Sequence, residues 1–199
     1  MNRSLFAFAL AALITGATAH VGMAGAVCLV EDDIIETSYT PGAGQPGEAE
    51  LEEYLDGATD PSYMGVDVGE SLYKWNREDP EEGPLAGSYE VVDLINGGEG
   101  GGTIRYTPPG AYVDTSQPAF LVVKGGGNFV MYDLNSTGSF GVNWDGVMDL
   151  KFTGAGVDNK ISNVSLWGQA VPEPTTLAIW TLVGVCGVGA ARRNRRKKA

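Results

Sequence analysis

Short apolar runs separated by glycine, proline and asparagine clusters fill the chain from residue 63 onward. Runs rich in Val, Ile, Leu, Tyr and Phe, with turn signals every eight to twelve residues, are typical of antiparallel β-sandwiches and jelly rolls. No helix alternates with these runs, so a parallel α/β sheet is not expected. The predicted strands are 71–75, 88–95, 103–107, 119–124, 129–134, 146–152 and 160–167.

Two of these runs predict a hairpin. Residues 119–124 (AFLVVK) lead through Gly125-Gly126-Gly127-Asn128 into residues 129–134 (FVMYDL). A short glycine-rich connection between two apolar runs favours antiparallel pairing across a tight turn. The sequence therefore predicts an all-β, β-sandwich or jelly-roll-like ectodomain over 63–169.

The region ahead of the strands, residues 27–62, is acidic and rich in turn residues. Within it, Glu48 to Leu55 predicts a short helix, because its three large apolar side chains fall on one side of a helical turn. The rest of 27–62 predicts irregular structure. A solvated acidic face is the simplest interpretation of its many carboxylates.

The first residues have the pattern of a secretory signal peptide. A short positive stretch at 1–3, an apolar stretch at 5–14 and the small residues Ala17-Thr18-Ala19 follow one another in the required order. The sequence predicts a signal peptide over 1–19 that is cleaved after Ala19. A second small-residue site allows cleavage after Ala26 instead, and an uncleaved membrane anchor is the alternative.

The last thirty residues combine an apolar run with a basic cluster. Residues 175–191 carry no charge, and a helix of that length spans roughly 25 Å, close to a bilayer core. Positive residues beside a span stay cytoplasmic, which predicts a single transmembrane helix with the tail 192–199 inside. A buried helix of a soluble domain is the alternative. The basic residues of the tail are Arg192, Arg193, Arg195, Arg196, Lys197 and Lys198.

A proline-flanked glutamate, Pro172-Glu173-Pro174, precedes the apolar run. Each proline fixes its own φ and biases the preceding residue toward extended backbone. The triplet therefore predicts an extended segment just outside the membrane. Such a segment suits a processing enzyme that grips a strand-like peptide, and a stiff spacer is the alternative.

Residues 170–199 resemble the PEP-CTERM protein-sorting domain. The resemblance is carried by three parts in this order: the triplet (172–174), the span and the basic tail. The resemblance implies that Pro172, Glu173 and Pro174 form a motif near which an exosortase, a membrane transpeptidase-like enzyme, cuts the chain. It also implies a bacterium that makes exopolysaccharide and biofilm. The implied location is the inner membrane with the ectodomain outside, then the cell surface or extracellular matrix after processing.

Three blocks of the predicted strands are similar to β-rich ectodomains found upstream of such tails. They are residues 72–75, 120–126 and 161–168, the last of which corresponds to a final strand that ends just before the PEP linker. This second resemblance implies a fold and a location, and it implies no activity.

Charge narrows the range of functions. The whole chain has a net charge of −12, yet the part between the two targeting signals holds 24 acidic and six basic residues, a net charge of −18. Nucleic-acid binding needs clustered Lys and Arg, so no nucleic-acid partner is expected. A domain this acidic repels anionic polymers at low salt and attracts divalent cations loosely.

Cysteine and histidine usage excludes several kinds of site. Cys186 lies in the predicted span, so Cys28 is alone in the exported part and has no internal disulfide partner. His20, the only histidine, borders the predicted cleavage site. The exported domain therefore offers no Ser-His-Asp triad, no Cys–His pair and no histidine metal cluster. We expect no catalytic residues, no metal and no cofactor.

Candidate ligand contacts are Trp144 and Asp145, which lie in a loop-like stretch of glycine and asparagine. An exposed indole there would stack on a sugar ring, whereas most other aromatic residues are predicted to fill the core. Asp133 and Asn135 match the opening of a calcium loop, but the twelfth position is Trp144 rather than the closing glutamate. A polar turn is therefore the preferred interpretation of that stretch.

These patterns together predict a non-enzymatic surface or matrix protein whose ectodomain binds glycan, cation or another surface protein. Its expected partners are an exosortase-type enzyme, the membrane through the C-terminal helix, and exopolysaccharide as a candidate. One alternative is a secreted carbohydrate-active enzyme that uses two facing carboxylates in a cleft of the same fold. Another alternative is a permanently anchored protein whose tail is never cut.

Overall fold

A computed structural model of the chain describes residues 26–36, 46–95, 98, 100–135, 142–154 and 160–171. In this part of the chain there are ten β-strands and one α-helix, which confirms the all-β prediction. The predicted signal peptide with Ala19, the PEP triplet, the apolar run and the basic tail lie outside the described residues. Among the described residues, no helix has the length and apolar character needed to cross a bilayer.

The elements follow one another in a simple order. The helix, α1, is Glu48–Asp56, and short 3-10 turns cover Glu31–Asp33 and Pro61–Tyr63. The strands are β1 (Ala26–Cys28), β2 (Glu70–Asn76), β3 (Tyr89–Ile95), β4 (Gly101–Tyr106), β5 (Tyr112–Val113), β6 (Phe120–Gly125), β7 (Asn128–Asp133), β8 (Asp149–Phe152), β9 (Ile161–Gly168) and β10 (Ala170–Val171).

Two four-stranded sheets enclose the main core. The first sheet has the order β1-β8-β4-β3 and the second has the order β2-β9-β6-β7, while β5 and β10 form a separate pair. All of these pairings are antiparallel except β1 with β8, so the first sheet is mixed. Buried residues of both sheets, such as Ile104 and Leu150 from the first and Leu121 and Leu166 from the second, belong to one hydrophobic cluster.

All seven predicted strands are present, with ends that differ by at most three residues. The predicted hairpin is confirmed, because β6 pairs with β7 from Phe120 opposite Asp133 to Gly125 opposite Asn128. Strands β1, β5 and β10 were not predicted. Each has only two or three residues and therefore shows no periodic pattern.

The second sheet is buried on both faces, which explains the unbroken apolar run AFLVVK. Side chains alternate between the two faces of a strand. In β6, Leu121 and Val123 face the core shared by the two sheets, whereas Phe120 and Val122 belong to a second cluster. All four side chains are at most 1% exposed.

The second cluster is formed by α1 and its flanking turns, which lie on the outer face of the second sheet. The helix is confirmed at the predicted position, and its buried side chains are Leu51, Tyr54 and Leu55. The ring of Tyr54 lies 5.1 Å from that of Phe129 in β7, and its hydroxyl donates to the Ile35 carbonyl at 2.9 Å. The acidic N-terminal region therefore contributes an outer layer, which we call the acidic layer (residues 31–36 and 46–68).

Candidate functional site

The structure corrects the prediction that Trp144 contacts a ligand. Its side chain is 1% exposed and belongs to the main core. The indole N–H donates to the Met148 carbonyl at 2.7 Å, and the ring lies 6.0 Å from that of Tyr89. Burying a tryptophan removes a large apolar surface from water, and its N–H finds a partner inside. The indole is therefore a core element and presents no face to a sugar.

Asp145, the other candidate contact, is exposed and holds a turn together. One of its carboxylate oxygens accepts the backbone N–H groups of Val147 and Met148, at 3.0 and 2.9 Å. An aspartate that accepts from the backbone two residues further on is a common way to stabilise a turn. Trp144 is thus buried and Asp145 exposed, so the two side chains form no joint site.

Asp133, the first residue of the calcium-like stretch, is directed into the protein. It is 4% exposed, and its carboxylate accepts the Asn135 N–H at 2.8 Å and the Tyr63 hydroxyl at 3.1 Å. Burial raises the pKa of the Asp133 carboxyl above its ordinary range, although both donors act in the opposite direction. Residues 136–141 of this stretch lie outside the described ranges. The hydrogen bond from Asn135 to Asp133 agrees with a polar turn.

Replacing Asp133 with asparagine is expected to flatten the dependence of folding stability on pH. Because its pKa is raised, the folded chain keeps this proton at a pH where the unfolded chain has lost it. The contribution of Asp133 to the free energy of unfolding of the wild type therefore falls as the pH rises from about 4 through the raised pKa. This group contributes a slope of at most about 1.4 kcal/mol per pH unit.

Urea titrations at several pH values would measure this slope. Asparagine keeps the shape of the side chain and one oxygen that accepts the Asn135 N–H, while its amide nitrogen replaces the oxygen beside Tyr63 and donates to that hydroxyl instead. The variant should therefore fold and lose the contribution of Asp133 to the slope. Asp79→Asn, at an exposed position, is the matched control and should leave the profile unchanged. An Asp133→Asn profile that is parallel to the wild type would contradict the assignment.

A cavity of about 440 Å³ lies beside Tyr63, in the acidic layer. Two short segments, 32–36 and 59–63, form its walls. The Thr59 N–H donates to the Glu36 carbonyl at 2.8 Å and joins the two walls. The lining residues are Asp32, Asp33, Ile34, Ile35, Glu36, Thr59, Asp60, Pro61 and Tyr63.

The walls of the cavity are fixed to the second sheet. The Ile35 N–H donates to the Met131 carbonyl of β7 at 2.9 Å, and Ile34 forms a bridge with Tyr132. On the other wall, the hydroxyl of the buried Tyr63 donates to Asp133 at the end of β7. Both walls are therefore anchored to the same edge strand.

The cavity is strongly negative. Four of the nine described lining residues carry a carboxylate, and none of the nine carries a positive charge. The acidic layer as a whole contains eleven Asp and Glu residues and no Lys, Arg or His. Because no cation within this layer compensates these charges, the field in the cavity attracts positively charged ligands.

A second group of carboxylates lies on the surface of the acidic layer. One oxygen from each of Glu48, Glu52 and Asp67 falls within 4.8 Å of the others. These residues are exposed or half-buried, and exposed acidic groups often lie this close without an ion. Neither this group nor the cavity was predicted, because sequence shows the number of acids and not which of them converge.

Comparison with known proteins matches the chain to no family model, to no curated protein and to no solved structure. The resemblance to the PEP-CTERM sorting domain therefore rests on the sequence pattern.

Proposed function

We propose that the chain is an exported cell-surface or extracellular-matrix protein of an exopolysaccharide-producing bacterium. An exosortase-type enzyme sorts it through the tail 170–199, and its ectodomain is a β-sandwich with a structural or binding role. The observation that carries this proposal is the succession of Pro172-Glu173-Pro174, the uncharged run 175–191 and the basic cluster 192–198. Each part has its own physical role in a sorting signal, namely an extended cleavage segment, a span and a cytoplasmic anchor.

Three further observations support export, the β-sandwich and a binding role. The pattern at 1–19 is that of a secretory signal peptide, which agrees with the orientation implied by the basic tail. Two antiparallel-rich sheets around one core support the β-sandwich. The anchored, acidic cavity supports binding as the role of the ectodomain.

Intact-mass analysis of the protein recovered from the native cell surface tests the sorting proposal. We expect a species that begins near His20 or Val27 and ends near Pro172. A species that still ends at Ala199 would mean that the tail is a permanent anchor, and the sorting proposal would be withdrawn.

Replacing Pro172, Glu173 and Pro174 with alanine is expected to abolish processing, so that the tail-bearing species accumulates in the membrane fraction. The alanines remove both φ constraints and the charge between them. Immunoblotting of membrane and surface fractions would show the shift. A matched control replaces Glu78, Asp79 and Pro80, three exposed residues, and should leave processing intact. Equal processing of both variants would contradict a role for the triplet.

A further inference from the structure

The size of the cavity in the acidic layer indicates an organic ligand. Its volume of about 440 Å³ falls in the range of small-molecule sites, roughly 300–1,000 Å³. A bound calcium ion instead needs six to eight oxygens gathered at about 2.3–2.6 Å around one point. The lining also includes apolar surface, from Ile34, Ile35, Pro61 and Tyr63. An organic ligand packs against such surface, whereas a metal ion makes no favourable contact with it.

The lining also determines the polarity of the ligand. Ionised carboxylates only accept hydrogen bonds, so a ligand surrounded by them must present donors. Asp33 and Asp60 are oriented by the chain itself, since one oxygen of each accepts a backbone N–H, from Val30 and Ser62 respectively. Each of these carboxylates has a second oxygen and further lone pairs for a ligand. A ligand with several donors and a positive charge fits this lining best.

We infer that this cavity binds an amino sugar, that is, a sugar ring that carries a protonated amine. The sugar ring packs against the apolar walls, and its hydroxyls donate hydrogen bonds to the carboxylates. Its ammonium group is attracted by the uncompensated negative charge of the cavity. A lysyl side chain supplies the ammonium but neither the ring nor the hydroxyls. This inference deepens the binding role proposed above by naming the ligand class, and it does not depend on processing of the tail.

A pair of probes that share one sugar ring, with and without a free ammonium group, tests the inference. The full-length chain, purified in a non-ionic detergent, would be titrated with glucosamine and with N-acetylglucosamine in a calorimeter at low ionic strength. We expect glucosamine to bind and N-acetylglucosamine to bind about tenfold more weakly or worse, which corresponds to about 1.4 kcal/mol. Added salt should weaken glucosamine binding, because the attraction is between charges near the surface. Equal affinity for the two sugars would overturn the inference.

Two further probes separate the amino sugar from other cations. Calcium chloride supplies a divalent ion without an organic body, and N-acetyl-lysine methylamide supplies the ammonium on a peptide-like chain. The inference expects both to compete weakly with glucosamine. It is overturned if the lysine compound binds as tightly as glucosamine, and also if calcium binds in the cavity while glucosamine does not.

Neutral variants of nearly the same shape locate the binding. The double change Asp32→Asn and Glu36→Gln should reduce glucosamine affinity about tenfold or more while the thermal midpoint stays near that of the wild type. The matched control, Glu78→Gln with Asp79→Asn, changes two exposed carboxylates outside the cavity lining and should leave affinity unchanged. Equal losses in both double variants would mean that net charge and not the cavity holds the ligand, which contradicts the inference.

The outcome is independent of the sorting experiment. A chain that binds glucosamine in the cavity and still ends at Ala199 on the cell would contradict only the sorting proposal. A chain that is processed near Pro172 but binds the two sugars with equal affinity would contradict only the inference about the ligand.

Discussion

Replacing Trp144 with alanine is expected to lower the free energy of unfolding by about 3–5 kcal/mol, the usual cost of truncating a buried large aromatic residue. The side chain is 1% exposed and packs within the main core, so its removal leaves a cavity that the surrounding strands only partly fill. The change also leaves the Met148 carbonyl without its indole donor. Urea titration followed by far-ultraviolet circular dichroism measures the loss without relying on tryptophan fluorescence.

Two further variants separate the contributions at this position. Trp144→Phe keeps a ring in the core but removes the hydrogen bond to Met148, and we expect it to cost about 1–3 kcal/mol. Trp75→Ala removes an indole that is only half-buried on β2 and should cost less than Trp144→Ala. A Trp144→Ala protein as stable as the wild type would show that the indole is not part of the core.

The misassignment of Trp144 shows what a local pattern leaves undetermined. The glycines and asparagine around it correctly indicate a loop, and loops lie on the surface. Which side chain of a loop turns inward depends on partners distant in the chain. Here the partner is Tyr89, whose ring contacts Trp144 and whose hydroxyl donates to the Gly146 carbonyl across 57 residues of sequence.

Elements with a strong local signal were predicted well. The three apolar side chains of α1 repeat at helical spacing, and the strand runs combine β-branched and aromatic residues between turn signals. The layer that α1 forms was missed, although the run AFLVVK contained a hint of it. A strand with one solvated face alternates apolar and polar residues, so an unbroken apolar run indicates that both faces are covered.

The cavity could not have been predicted from sequence. Its two walls are held by contacts with β7, from Ile35 to Met131 and from Tyr63 to Asp133, across 96 and 70 residues of sequence. The absence of Lys, Arg and His from the acidic layer, and hence the sign of its charge, can be read from the sequence. That four carboxylates and a tyrosine lie on one concave surface is seen only in the folded structure.

Gly101→Ala is expected to destabilise the protein by about 3 kcal/mol or more. Gly101 has a φ of +115°, a backbone conformation that an L side chain adopts at a cost of about 1–2 kcal/mol. A methyl group there would also overlap the Phe152 carbonyl oxygen of β8, and overpacking of this kind costs about 1–3 kcal/mol more. Because the obstacle is backbone rather than a flexible side chain, relief requires β4 and β8 to separate.

Two other glycines divide this cost into its parts. Gly87 has a φ of +86° with nothing within 4 Å of an added Cβ, so Gly87→Ala should show only the conformational cost of about 1–2 kcal/mol. Gly127, in the turn between β6 and β7, has neither a positive φ nor a near neighbour, and Gly127→Ala should be close to neutral. Urea titrations that show no larger loss of unfolding free energy for Gly101→Ala than for Gly87→Ala would mean that β4 does not approach Phe152 this closely. The pairing of β4 with β8, which closes the first sheet over the core, would then have to be redrawn.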